Sequence, residues 1–155
     1  MITYRDAIPT DAAGMSRVLQ DIITLTGRQR ASDEAFCLRS YIENPANVKC
    51  TVAVDEAGQV MGFQSLTIAG PDNAYGTPEG WGSIGTHVSP AAHGRGIGRT
   101  LFQHTRAAAE GAGVEQIDAS IGADNPEGQG YYGAIGFATW REANGRVQKV
   151  FRIAK

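Results

Sequence analysis

The stretch Val88-Ser89-Pro90-Ala91-Ala92-His93-Gly94-Arg95-Gly96-Ile97-Gly98-Arg99-Thr100-Leu101 constrains this chain more than any other. A β-branched run from Ile84 to Val88 leads into a glycine-rich turn. The turn opens into a helical pattern with Ile97, Leu101, Thr105 and Ala108 on one face. Glycines at 94, 96 and 98 leave main-chain N–H groups unshielded at a helix N-terminus, where the helix dipole adds positive potential. That combination suits a phosphate or pyrophosphate, and Arg95 and Arg99 add charge at the rim. The same glycines also suit a plain tight turn. The motif is not a P-loop, because Arg99-Thr100 replaces the Lys-Ser/Thr pair and the glycine spacing is too short. Nor is it the dinucleotide fingerprint, whose last glycine gap is wider.

The order His93-x-x-Gly96-x-Gly98 resembles the Q/R-x-x-G-x-G/A motif of the GNAT superfamily of acyl-CoA N-acyltransferases. A second stretch, Asn125 to Phe137, resembles that family's N-x-x-A-x-x-x-Y-x-x-x-G-F, with Asn125, Tyr132, Gly136 and Phe137 in register. Gly128 stands where the family has Ala, and His93 where it has Gln or Arg. The first departure weakens a helix. The second matters little where main-chain N–H groups hold the phosphate. Residues 84–140 carry the resemblance, and the N-terminal half matches by its order of elements. The text from Gly82 to Gly98 also loosely resembles the phosphinothricin-acetyltransferase-like branch.

The chain has 155 residues and a formal net charge of -2, which favours one domain over 1–155 and argues against a broad basic surface for nucleic acid. No run approaches the roughly 18 apolar residues of a membrane span. Met1 to Asp6 does not read as a signal peptide. Cys37 and Cys50 are too few for a disulfide framework, so a cytoplasmic setting with reduced thiols is expected. Neither cysteine lies in a catalytic or metal motif.

Periodicity predicts strands over 2–5, 49–54, 59–68, 84–88, 114–121, 137–141 and 146–153. Helices are predicted from the cap candidates Thr10 and Asp11 through Ile23, from Ser32 to near Pro45, from Ile97 to about Glu110, and over 127–134. Residues 24–30 read as a polar, basic loop, residues 70–80 as a Gly/Pro-rich loop, and Asn144-Gly145 as a hairpin turn. The order implies a mixed sheet with helices on both faces. The resemblance sharpens this to a six- to seven-stranded, mostly antiparallel α/β sheet. In it the strand before the glycine loop splays from the strand after the loop's helix.

Acyl transfer to an amine needs a neutral nucleophile, a polarised carbonyl, a protonated leaving thiolate and two substrates held together. The resemblance implies acetyl-CoA as cosubstrate, held by His93, Gly94, Arg95, Gly96, Ile97, Gly98 and Arg99. The pantetheine arm would lie along Thr86, His87 and Val88 and reach Asn125, and a main-chain N–H near Val88 would polarise the carbonyl. It implies Tyr132 as the acid, with Tyr131 a packing neighbour. Asn125 equally suits a helix cap. The usual Glu at the start of the strand before the loop is missing, since residues 82–85 are Gly, Ser, Ile and Gly. Glu79 is the candidate base through water, and His87 the alternative. Trp81 and Tyr75 suit either an acceptor wall or loop packing. The expected function is N-acetylation of a small primary amine, with no metal, and homodimer formation is left open. The alternatives are an acetyltransferase of protein N-termini or lysines and a non-catalytic acyl-CoA-binding regulatory domain.

Overall fold

Seven strands join in one sheet in the computed structural model, which describes residues 1–153. They are β1 (Thr3–Asp6), β2 (Asn47–Val54), β3 (Val60–Ile68), β4 (Gly82–Val88), β5 (Gln116–Gly122), β6 (Ala138–Ala143) and β7 (Arg146–Arg152). Their order is β1-β2-β3-β4-β5-β7-β6, and every neighbouring pair is antiparallel except β4 with β5. Four helices accompany them: α1 (Ala12–Thr26), α2 (Glu34–Cys37, continued by a π-helical turn over Leu38–Ile42), α3 (Ile97–Gly111) and α4 (Pro126–Ala134).

The sheet's two faces are covered by different helix pairs. Met15, Val18 and Leu19 of α1 and Cys37 of α2 pack with Tyr41 on Val52, Val54 and Phe63. Burying side chains of this size contributes about 1.5–3 kcal/mol each, so the three residues from α1 fix that helix on the sheet. On the other face, Phe102 and Ala109 of α3 and Tyr132 of α4 meet Leu66, Ile84, Ile117, Ala119 and Ile121. Ile97 and Leu101 close the end of α3 over Ala53 and Ala92.

The element order agrees with the sequence reading, and several bounds move. Helix α1 runs to Thr26, into the predicted loop, with the Thr24 and Thr26 hydroxyls donating to the carbonyls of Gln20 and Ile22 at 3.0 and 2.8 Å, and it ends where Gly27 takes a left-handed φ of 73°. Strand β4 starts at Gly82 rather than Ile84. The buried row of α3 continues through Ala109, with Ala108 only half-buried. Asn144 and Gly145 both have positive φ, 56° and 73°, as a two-residue hairpin turn requires.

The break in the sheet positions the site. Strands β4 and β5 pair only at Gly82↔Ile117 and Ser83↔Asp118. Beyond those pairs β4 continues to Val88 with β3 on one side and no strand on the other. The Ser89 N–H donates to the Met61 carbonyl at 2.8 Å. Alternation along an antiparallel pair then turns the main-chain groups of His87 and Gly85 toward β3, and those of Val88, Thr86 and Ile84 toward the opening.

Candidate functional site

The glycine loop forms the first wall. Gly94 and Gly96 adopt left-handed φ of 77° and 72°, which glycine reaches at no steric cost. Gly96 caps α3 without a side-chain hydrogen bond, and the first helical bond closes from the Thr100 N–H to the Gly96 carbonyl at 3.1 Å. The amides of Ile97, Gly98 and Arg99 therefore head the helix as orphan donors. His93 through Gly96 are exposed, and nothing lies within 4 Å of where a Cβ on Gly94 or Gly96 would sit. Arg95 and Arg99 are exposed and have no ion pair among the described residues. His93 reaches Glu127 at the start of α4, with Nε2 3.1 Å from Oε1.

Helix α4 brings two tyrosines to the opening. The Tyr132 hydroxyl lies 2.8 Å from Thr86 Oγ1, joining α4 to β4 where main-chain pairing has ended. Its ring is buried against Phe137 and Tyr131, at centroid distances of 5.1 and 4.9 Å. Burial pushes the phenol well above its ordinary value, and the Thr86 hydrogen bond works against that rise. Tyr131, expected as a packing residue, also binds through its hydroxyl. It donates to the Gly98 carbonyl at 2.7 Å and accepts from Gln64 Nε2 at 3.0 Å. Its ring covers Gly98 so closely that a Cβ there would meet Cε1 at 2.6 Å. The third glycine of the loop is thus a packing requirement as well as a bare amide.

Asn125 caps α4, its Oδ1 accepting from the Gly128 N–H at 3.0 Å. A Cβ on residue 128 would meet Asn125 Nδ2 at 2.5 Å and Ile121 Cγ2 at 3.2 Å, which accounts for glycine where the resemblance expects alanine.

The opposite face of β4 is built differently. The ring of His87 packs on Tyr41 and Phe63, at 5.8 and 4.9 Å between centroids, with Nε2 3.5 Å from the Tyr41 hydroxyl. Arg30, from the α1–α2 connection, donates to the same hydroxyl at 2.7 Å. His87 thus faces α1 and α2, away from the glycine loop. Burial first, and the Arg30 charge second, push its imidazole down to about 3. A base with so low a value is poorly matched to a neutral operating pH.

This burial has a measurable consequence. The folded chain resists protonating His87, whereas the unfolded chain accepts the proton near 6.5. Stability therefore falls as pH drops through the window from about 6.5 toward 3. At about 1.4 kcal/mol per unit, the loss between pH 6.5 and 5 reaches at most roughly 2 kcal/mol, a figure the ring's residual exposure reduces. Urea unfolding of wild type and His87→Phe at the two pH values measures it. Parallel pH dependence in both proteins would show that His87 carries no such linkage.

The loop between β3 and β4 is pinned over β5 by a buried carboxylate that sequence reading missed. Asp118 is 1% exposed, and accepts from Trp140 Nε1 at 2.7 Å, Thr77 Oγ1 at 3.0 Å and Gln148 Nε2 at 3.1 Å. Its sequence signal is an acid between Ile117 and Ala119 in an alternating apolar strand. Trp81 packs on Trp140 at 5.1 Å, and Arg146 lies over the Tyr75 ring at 4.5 Å. Both aromatics therefore hold the loop in place. Glu79 is exposed on this loop and makes no hydrogen bond or ion pair with the described residues.

The cysteines lie in the core under α1 and α2, where burial raises Cys37 to about 11 and Cys50 to about 12. Neither offers a thiolate nucleophile at neutral pH. Among the described residues no group of three or more His, Cys, Asp or Glu is placed to hold a metal, and no helix is long and apolar enough to cross a membrane.

A family model described as the Acetyltransferase (GNAT) family matches residues 17–137. A curated relative, mycothiol acetyltransferase of Renibacterium salmoninarum, is 32% identical over 93 residues, covering 57% of this chain and 26% of that protein. The match thus spans about a quarter of the relative's length. A GCN5-related N-acetyltransferase from Kribbella flavida superposes with a TM-score of 0.78 over 98% of both chains at 21% identity. A GNAT superfamily phosphinothricin acetyltransferase from Sinorhizobium meliloti, in complex with acetyl-CoA, has a TM-score of 0.76 at 21% identity, over 98% of this chain and 88% of that one. At these identities the two structures establish the shared fold.

Proposed function

The chain belongs to the GNAT family of acetyltransferases, and from that premise we propose that it moves the acetyl group of acetyl-CoA to a small primary amine by direct attack in a ternary complex. The observation that carries this reading is the unpaired edge of β4. It runs from the Tyr132 hydroxyl at Thr86 toward the exposed amides of the glycine loop. Strands β1, β6 and β7 lie outside the matched span yet pair into the same sheet, which supports one acyltransferase domain over 1–155.

Acetyl-CoA supplies an activated thioester carbonyl and a pyrophosphate by which it is held. The amides of the loop from Gly94 to Arg99 bind that pyrophosphate, with His93, Arg95 and Arg99 at the rim. The open space over Gly94 and Gly96 leaves room for it. Main-chain groups of Thr86 and Val88 line the pantetheine path, the Val88 N–H polarises the carbonyl, and the amide nitrogen of Asn125, which has no hydrogen-bond partner among the described residues, reaches the arm. Tyr132 gives its proton to the departing sulfur. The names of the curated relative and the Sinorhizobium meliloti structure likewise carry small molecules, mycothiol and phosphinothricin.

Calorimetry with acetyl-CoA, followed by thiol release across a panel of amines, tests the reading. The panel comprises amino acids, phosphinothricin, benzylamine, polyamines, and peptides with a free N-terminus or lysine. Turnover confined to the peptides would replace the small-molecule reading. Acetyl-CoA binding without turnover on any amine would leave a regulatory domain.

The amine nitrogen must shed a proton, and we assign this to a water relay whose outer member is Glu79. Removing its carboxylate should move the rising limb of kcat/KM toward the amine's own value, about 10 for alkylamines, and lower activity at neutral pH. Profiles of wild type and Glu79→Gln that superimpose would remove Glu79 from the mechanism.

A further inference from the structure

A chain of five polar groups crosses the opening, and its donor order is fixed from Gly98 as far as Thr86. The Gly98 carbonyl can only accept, so the Tyr131 O–H proton is committed to it at 2.7 Å. The Tyr131 oxygen then takes one hydrogen of Gln64 Nε2 at 3.0 Å. The second Nε2 hydrogen goes to Thr86 Oγ1 at 2.9 Å. Turning this amide over would set Gln64 Oε1 against a tyrosine whose proton is already used. In the orientation the partners select, Oε1 is buried without a partner, so both amide hydrogens are placed here at the expense of one unsatisfied acceptor. Thr86 Oγ1 accepts from Gln64 and lies 2.8 Å from the Tyr132 oxygen, a contact in which either hydroxyl can donate, and only with Thr86 as donor is the Tyr132 proton left for another partner.

We propose that Gln64 and Thr86 are positioning residues that hold the Tyr132 oxygen as an acceptor, so that its proton points into the opening toward the leaving sulfur. The inference rests on the reading of Tyr132 as the acid. In the step it serves, the amine nitrogen bonds to the acetyl carbon and the C–S bond breaks with its electron pair going to sulfur. Sulfur takes the Tyr132 proton, leaving a phenolate and free thiol. The amide nitrogen loses its surplus proton to solvent, and the phenolate recovers one from solvent.

The energetic need for such an arrangement follows from burial. A thiol titrates near 8.5 and a free tyrosine near 10, so the donor is already weaker than the group it protonates. Burying Tyr132 widens the gap, and the Thr86 hydroxyl and main-chain N–H both act to narrow it. The Thr86 N–H points to the opening by the same alternation that turns the Ser89 N–H to β3. The Thr86 hydroxyl thus meets the oxygen that becomes negative and the Thr86 N–H is turned to the same opening, an arrangement that stabilises charge developing in a transition state. Gln64 fixes which way the hydroxyl donor points. It is fully buried, and its register partner across the β3–β4 ladder is Thr86 itself.

The test is a double-mutant cycle between Thr86→Val and Tyr132→Phe, with Thr86→Ser and Gln64→Met as companions. Turnover is read by thiol release with the best amine of the panel above. If no amine exceeds water, it is read by acetyl-CoA hydrolysis, whose thiolate leaves through the same step. Thr86→Val should lower kcat about tenfold to a hundredfold, the worth of one hydrogen bond to a group becoming charged. Acetyl-CoA affinity by calorimetry should stay near wild type. Thr86→Ser should retain most of kcat, and Gln64→Met should show a smaller loss in the same direction. In the Tyr132→Phe background Thr86→Val should cost nothing further, because the hydroxyl it serves is gone. Additive losses, an unchanged kcat in folded Thr86→Val, or failure of Thr86→Ser to rescue would overturn the proposal. Should Thr86→Val fail to fold, the same cycle run with Gln64→Met decides. Wild-type turnover in Tyr132→Phe alone would instead refute the role of Tyr132.

Discussion

Tyr132→Phe should lower kcat about 10²- to 10⁴-fold, the usual cost of removing a positioned acid, while acetyl-CoA affinity changes little. The substitution is clean on structural grounds. Phe keeps the ring in its contacts with Phe137 and Tyr131 and removes only the hydroxyl 2.8 Å from Thr86 Oγ1. Losing that one hydrogen bond should reduce stability by about 0.5–1.5 kcal/mol, too little to unfold an ordinary domain. The hydroxyl acts on sulfur only as the C–S bond breaks, so kcat and kcat/KM should fall together. Thiol-release kinetics give both parameters, and calorimetry gives the affinity. A variant that turns over at the wild-type rate would reduce Tyr132 to a core aromatic.

The elements that carry the site were legible because they are local. A glycine loop between a β-branched strand and an apolar helical stripe can be read within fourteen residues, and it folds as read. Asn125, Tyr132 and Phe137 fall on one short helix and its exit, so their spacing survives folding. What the sequence hides are meetings made by register and docking. Gln64 and Thr86 become partners only through the β3–β4 ladder, and Tyr131 joins them from 67 residues away. Tyr131 and Tyr132 are neighbours in a helix and look redundant, yet their hydroxyls serve different walls of the opening. The ordinary titration range of a histidine suggests His87 as a base, and packing on Tyr41 and Phe63 removes that range. Asp118 was missed because a buried carboxylate is justified only by its donors, which come from the β3–β4 loop, β6 and β7.

Gly96→Val should abolish most acetyl-CoA binding in a protein that still folds. A β-branched residue at φ 72° is strained by roughly 1–3 kcal/mol. Nothing lies within 4 Å of the added Cβ, so no clash with the rest of the fold compounds that strain. The side chain therefore projects into the open space assigned to the pyrophosphate, and relief of φ turns the neighbouring amides away from it. Losing one or two charge-assisted hydrogen bonds, worth about 1.5–3 kcal/mol each, predicts an affinity loss on the order of 10²-fold or more. The strain itself needs a control, and Gly145 provides one. It has nearly the same φ, 73°, equally open surroundings, and a place in the hairpin turn between β6 and β7. Gly145→Val should show a comparable drop in melting temperature with acetyl-CoA affinity intact. Equal affinity losses in the two variants would mean that backbone strain, not occupancy of the loop, controls binding. Unchanged affinity in folded Gly96→Val would move the pyrophosphate elsewhere.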